Sequence, residues 1–103
     1  GNFSRNSRDI YMEDRCTLAA ECLTGHGQHQ RSYLDLNDCF TNTDGRLLWS
    51  KGGDFAASAR HIHLTEGGRA LEAELGDGRG GWIHNKVYLD ERISNDGGRL
   101  VML

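Results

Sequence analysis

Two short stretches hold the groups best suited to grip hydroxyls, Asn42-Thr43-Asp44-Gly45 and Asn95-Asp96-Gly97-Gly98. An Asn amide or an Asp carboxylate on a short rigid turn can donate to or accept from neighbouring hydroxyls, and turn backbone amides add donors. The same residues also build an Asx turn with no ligand at all, and the sequence leaves both readings open. His61-x-His63 puts two imidazoles on one face of a strand, but no third ligand is near in sequence, so it reads as strand surface and no metal is expected. Cys39 sits beside Phe40 on an apolar-rich turn, which fits a buried thiol rather than a nucleophile. No catalytic dyad has local support, and neither enzymatic activity nor a cofactor is expected. Trp49 and Trp82 could stack on a ligand or pack in the interior.

The elements that must carry these groups come in two copies. Sliding the chain by 53 positions lays residues 17–47 on 70–100: Leu18 meets Leu71, Ala20 meets Ala73, Glu21 meets Glu74, Gly25 meets Gly78, Leu36 meets Leu89, Asn42 meets Asn95, and Gly45-Arg46-Leu47 meets Gly98-Arg99-Leu100. With an offset of 52 the repeat extends upstream, where Phe3 meets Phe55, Arg8 meets Arg60 and Ile10 meets Ile62. Two copies are too few for a solenoid, so they should pack on each other about a pseudo-twofold axis.

Each copy reads mostly as strand. Leu71-Glu72-Ala73-Glu74-Leu75 alternates with period two, as do Leu18, Ala20 and Cys22, Tyr33 to Leu36, and Lys86 to Leu89. Gly25 to Gly27 and Gly76 to Gly81 mark hairpin turns. Leu36 to Phe40 and Leu89 to Ile93 switch to i, i+4 spacing, with Asn37 and Asp90 placed as caps of one helical turn. The Asn-rich turns then lead into closing strands ending near Trp49 and Met102, and Asp54 to Arg60 predicts a helix of a turn or two. The expectation is an all-β chain forming one domain over residues 1–103, with repeats at about 1–50 and 51–103.

Composition narrows the partners. A net charge of −3 with mixed signs argues against nucleic acid, which favours a basic face. No apolar run is long enough for a membrane span, and no leader pattern opens the chain, so a soluble protein without a membrane partner is expected. Fourteen Gly and no Pro suit many tight turns. Three cysteines, Cys16, Cys22 and Cys39, do not make a disulfide framework; they read as free thiols in a cytoplasmic or otherwise reducing compartment.

The ordered set Leu34-Asp35-Leu36-Asn37, Asn42-x-Asp44-Gly45-x-Leu47-x-Trp49, repeated as Val87-x-Leu89-Asp90 and Asn95-x-Gly97-Gly98-x-Leu100, resembles the cyanovirin-N family, as do Asn2-Phe3-Ser4 and Asp54-Phe55. The resemblance covers nearly the whole chain. It implies an elongated cyanovirin-N-like fold of two pseudo-symmetric halves, each a three-stranded sheet plus a β-hairpin with short helical turns. One half would be residues 1–38 with 92–103, the other 39–91. It also implies metal-independent binding of α1,2-linked mannose on mannose-rich, high-mannose glycans, with one site per half. The family's disulfide positions match Ser7 with Cys22 and Ala59 with Leu75, so neither bridge can form, as in disulfide-lacking fungal members.

By the same resemblance the second-half site gathers Thr41, Asn42, Thr43 and Asp44, then Gly53, Asp54, Ala57 and Ser58, then Asp77, Gly78 and Gly80. Ala57 and Gly78 stand where the family has a carboxylate and an arginine. The first-half site gathers Asn2, Arg5 and Asn6, then Leu23, Thr24 and Gly25, then Asn95, Asp96 and Gly97. There Leu23 replaces a carboxylate, Gly97 stands where Asp44 stands in the other copy, and Arg5 reads more readily as a solvated surface charge. The second-half site is therefore preferred, and binding is expected to be weak, at one site if not both. The competing expectation is an interaction or structural domain of the same fold that has lost sugar binding. The linker Trp49-Ser50-Lys51-Gly52-Gly53 lacks the Pro that would favour an extended hinge, so a monomer is expected, with a domain-swapped dimer as the alternative assembly.

Overall fold

A computed structural model describes all residues, Gly1–Leu103. Ten strands run in order: β1 Ser7–Glu13, β2 Thr17–Leu23, β3 His29–Asp35, β4 Phe40–Thr43, β5 Arg46–Trp49, β6 Ala59–Thr65, β7 Ala70–Gly76, β8 Trp82–Tyr88, β9 Ile93–Asp96 and β10 Arg99–Met102. There is no α-helix; short 3-10 turns cover Phe3–Asn6, Leu36–Asp38, Phe55–Ser58, Glu66–Gly68 and Leu89–Glu91. The strands form antiparallel sheets β1-β2-β3 and β6-β7-β8 and hairpins β4-β5 and β9-β10. The molecule is elongated, 50 × 22 × 20 Å.

Each hairpin docks on the sheet built from the other part of the chain. Ser32 Oγ on β3 accepts from the Leu100 amide of β10 at 3.0 Å, and Asn85 Oδ1 on β8 accepts from the Leu47 amide of β5 at 3.0 Å. Ser32 and Asn85 are equivalent in the repeat, as are Leu47 and Leu100, so one docking device is used twice. Gly45 makes the second docking possible. Its φ is +92°, and a Cβ there would lie 2.5 Å from Ile83 Cδ1.

A single apolar core joins the halves. Phe3, Phe55, Leu18, Leu71, Leu36, Leu89, Phe40 and Ile93 are fully buried, and each belongs to a repeat pair. Burying a side chain of this size contributes roughly 1.5–3 kcal/mol, which suffices for a small domain without covalent staples. Cys22 and Cys39 are part of this core, and Cys16 is half-buried at its margin. Ser7 faces Cys22 and Ala59 faces Leu75 across their strand pairs, so both positions at which the family places a disulfide fall in register. Trp49 is half-buried and packs on the core: its ring centroid is 4.2 Å from that of Phe40, and Arg92 of the other half lies over it.

The structure corrects three local readings. Asn37 and Asp90 do not cap their own turns. Asp35 caps the Leu36–Asp38 turn, accepting from the Asn37 amide at 2.9 Å, and the Leu89–Glu91 turn has no side-chain cap. Asn37 and Asp90 instead tie distant turns together: Asn37 Oδ1 accepts from the Ala56 amide at 2.8 Å, and Asp90 Oδ1 from the Ser4 amide at 2.9 Å. The helical stretch expected over 54–60 shrinks to the 3-10 turn Phe55–Ser58, because Ala59 and Arg60 are drawn into pairing with Leu75 and Glu74. His61 and His63 do not simply alternate on one strand face. A bulge interrupts the β6–β7 register between Arg60 and His63, with His61 at φ +54°.

Candidate functional site

In the second half, the β4–β5 turn, the Phe55–Ser58 turn and the β7–β8 loop meet around a cleft of about 420 Å³. Its walls are Asn42, Asp44, Ser58, Gly76, Asp77, Gly78 and Trp82. A further recess of about 320 Å³, lined by Asp44, Asp77, Arg79 and Ile83, shares both carboxylates. Volumes of this order suit a small ligand, and the lining residues are mostly polar side chains and glycines.

Asn42 is the knot that holds the cleft's parts together. Its Nδ2 donates to Ser58 Oγ at 2.8 Å and to the Gly76 carbonyl at 2.9 Å, and its Oδ1 accepts from the Gly45 amide at 2.8 Å. The side-chain amide is thus engaged within the protein, and Asn42 acts by positioning. Asp44 differs. It is exposed, holds the left-handed conformation at φ 51°, and its carboxylate forms no hydrogen bond or ion pair within the chain. Asp77 shapes the β7–β8 loop: its Oδ1 accepts from the amides of Arg79 at 2.7 Å and Gly81 at 3.0 Å. Those amides, Arg79 first, hold its carboxyl below the usual aspartate range, so it stays ionised, while Oδ2, lying against Gly81, takes no hydrogen bond within the chain. Two carboxylates thus face one cleft, one fully available and one half-engaged.

The expected second-half residues divide accordingly. Asn42, Asp44, Ser58, Asp77 and Gly78 come together at the cleft. Thr41, Gly53 and Asp54 serve the chain's return instead: Thr41 and Asp54 form a backbone bridge, and a Cβ on Gly53 would sit 2.2 Å from the Phe40 carbonyl oxygen. Thr43 pairs with Arg46 at the base of the turn. Gly80 takes φ +88° in the loop beside Arg79. Gly76, Arg79 and Ile83 line the site without having been singled out for it, and Trp82, read from sequence as either a stacking or a packing residue, lines the cleft. Arg79 follows Gly78 directly and places a cation beside the two carboxylates of the recess. Trp82 is 44% exposed, and its cross-strand partner is Gly76.

The first half repeats the knot but not the charges. Asn95 Nδ2 donates to the Leu23 carbonyl at 2.9 Å and reaches Asn6 Oδ1 at 3.4 Å, while Asn95 Oδ1 accepts from the Gly98 amide at 2.7 Å. Thr24 Oγ1 accepts from the His26 amide at 3.2 Å in the turn that contains Gly25. Asn2 lies at φ 68° with its amide bonded to the Asp90 carbonyl, and Arg5 is exposed at the end of the first 3-10 turn. Asp96 pairs with Arg99 at the base of the β9–β10 turn. Where the second half has Asp44, Asp77, Arg79 and Trp82, the first has Gly97, Thr24, His26 and His29.

Residues 3–101 match the CVNH domain. The chain belongs to the cyanovirin-N homolog family. A cyanovirin-N homolog from Tuber borchii is 39% identical over 85 residues, 82% of each chain. The crystal structure of a MoCVNH3 variant in complex with (N-GlcNAc)4 has a TM-score of 0.94 at 32% identity, covering 100% of this chain and 97% of that one. A microvirin–mannobiose complex has a TM-score of 0.82 at 25% identity, covering 99% and 98%. The cyanovirin-N homologs are lectins, not enzymes; the MoCVNH3 variant is solved with (N-GlcNAc)4 and microvirin with mannobiose.

Proposed function

We propose that this chain is a lectin that binds α1,2-linked mannose on high-mannose glycans, without metal, in the cleft between Asp44 and Asp77. The observation that carries this reading is the Asp44 carboxylate, which lines the cleft without a protein partner. An exposed carboxylate facing an ionised neighbour is well placed to accept from two adjacent ring hydroxyls, and the microvirin–mannobiose complex lends support from the same fold. The first-half site has the same Asn knot but lacks both equivalent carboxylates, so it should bind more weakly or not at all.

Sugar hydroxyls exchange water for protein partners, so a few such contacts, less the entropy of ordering, give a dissociation constant of about 10 µM to 1 mM. Nitrogen-15 NMR titration with α1,2-mannobiose tests the proposal. Saturable shifts should centre on Asp44, Ser58 and Asp77 to Gly81. A folded protein whose amides stay unmoved by mannobiose would overturn it, and the fold would then serve a non-glycan partner.

A further inference from the structure

We propose that Trp82, clamped by Arg60 and Glu74, is a stacking platform for a second sugar ring, making the cleft selective for a di- or longer saccharide over a monosaccharide. This rests on the reading that the cleft holds a glycan.

Trp82 is the one hydrophobic wall of a cleft whose other walls are Asn, Asp, Ser and Gly. An indole combines a broad apolar face with little rotamer freedom to lose. Two features prepare this indole for a ligand. The first is the lack of a side chain on its cross-strand partner Gly76, where a built Cβ would be in ordinary contact with Trp82 Cζ3 at 3.9 Å. In the first copy the equivalent pair is Leu23 with His29, which has both a side chain in the gap and a smaller ring. The second is the clamp. The Arg60 guanidinium carbon lies over the indole, 4.1 Å from its centroid, and Arg60 Nε donates to Glu74 Oε1 at 2.7 Å. That hydrogen bond is the main reason the Glu74 carboxyl lies below its usual range. Arg60 is therefore held over one face of an indole that stays 44% exposed.

A pyranose presents a rim of hydroxyls and a face of C–H groups. Asp44 and Asp77 suit the rim, and Trp82 suits the face. The carboxylates line both the cleft and the further recess, whereas Trp82 lines the cleft alone. One ring gripped by the carboxylates therefore leaves the indole to a neighbouring ring. Arg60 and Glu74 touch no ligand in this arrangement; they position Trp82.

The test compares methyl α-mannoside with α1,2-mannobiose and an α1,2-linked mannotriose, by NMR and tryptophan fluorescence. The two indole Nε1 signals are assigned with Trp82→Phe. In Trp82→Ala the loss of affinity for the di- and trisaccharides should exceed the loss for the monosaccharide by about three- to tenfold. Trp82→Phe should recover most of that difference. Arg60→Gln should shift the Trp82 indole signal and lower the disaccharide preference without a matching fall in melting temperature. Equal losses for all three sugars in Trp82→Ala would overturn the platform. If wild-type protein binds no mannoside, a GlcNAc tetramer replaces it as probe. A moving Trp82 indole signal then keeps the platform while the mannose reading falls, and a static one with both probes ends the platform as well.

Discussion

Asn42 and Asp44 sit two residues apart in one turn, yet the structure gives them opposite roles, and two substitutions separate these. Asn42→Ala removes the bonds to Ser58 Oγ, the Gly76 carbonyl and the Gly45 amide. At about 0.5–1.5 kcal/mol for each of the three, the expected loss is about 1.5–4.5 kcal/mol. For a domain of this size that lowers the melting temperature by about 8–20 °C. Affinity should fall too, because the turn, Ser58 and the β7–β8 loop lose their common tie. Asp44→Asn keeps the shape and the tolerance of positive φ, and breaks no contact within the protein. Its stability should stay within about 0.5 kcal/mol of wild type. Its affinity for α1,2-mannobiose should fall about tenfold to a hundredfold, as befits one lost charge-assisted contact. Circular dichroism melts and NMR titrations on the same samples read both effects. An Asn42→Ala protein that melts like wild type but has lost the sugar would make Asn42 a direct ligand and refute this division. An Asp44→Asn protein that binds at full strength would refute the role given to its carboxylate.

Three further outcomes follow from groups around the site and core. Because the Asp77 carboxyl titrates below its ordinary 3.8, its contribution is present above that value and is lost as pH falls through the lower folded value; the Arg79 and Gly81 amide signals should report the loop loosening there, and Asp77→Ala should abolish the transition. Cys39 is pushed up to about 11 by burial, so its stabilising effect is complete below its ordinary 9.0 and is lost as pH rises to about 11; denaturant melts across that window should show the fall, weakened in Cys39→Ala, and thiol titration of unreduced, denatured protein should count three free thiols. Light scattering at tens of micromolar should find a monomer, since the linker folds back with Ser50 donating to the Cys39 carbonyl and Gly52 to the Asp38 carbonyl, both at 2.8 Å; Gly53→Ala, which drives a Cβ into the Phe40 carbonyl, should open that return and raise the swapped dimer, and a wild-type dimer stable to dilution would contradict this.

Much of the fold is legible because the duplication prints it twice. The period-two alternation of Leu71 to Leu75 becomes β7, and the Asn-Gly turns close hairpins that end at Trp49 and Met102. What escapes the sequence is register. His61-x-His63 looks like one strand face until a bulge with positive φ at His61 breaks the count. Asn37 and Asp90 sit where a cap would, but the partners that claim them are more than fifteen residues away in chain order. The same limit applies at the site. Position-by-position correspondence names Asp44, Ser58 and Asp77, which the fold gathers at one cleft, together with Gly53 and Asp54, which hold the linker's return. It does not name Arg79 or Trp82, which line the same region from the β7–β8 loop and from β8 opposite Gly76.

The central claim is that glycan binding is centred on the second-half carboxylates. One nitrogen-15 titration of the intact protein with α1,2-mannobiose reads both sites at once. The amides of Asp44, Ser58 and Asp77 to Gly81 should saturate first, with those of Asn6, Thr24, Gly25 and Asn95 moving only at higher sugar or not at all. First-half signals that saturate at lower sugar than second-half ones, or a folded spectrum that mannobiose leaves unchanged, would contradict it.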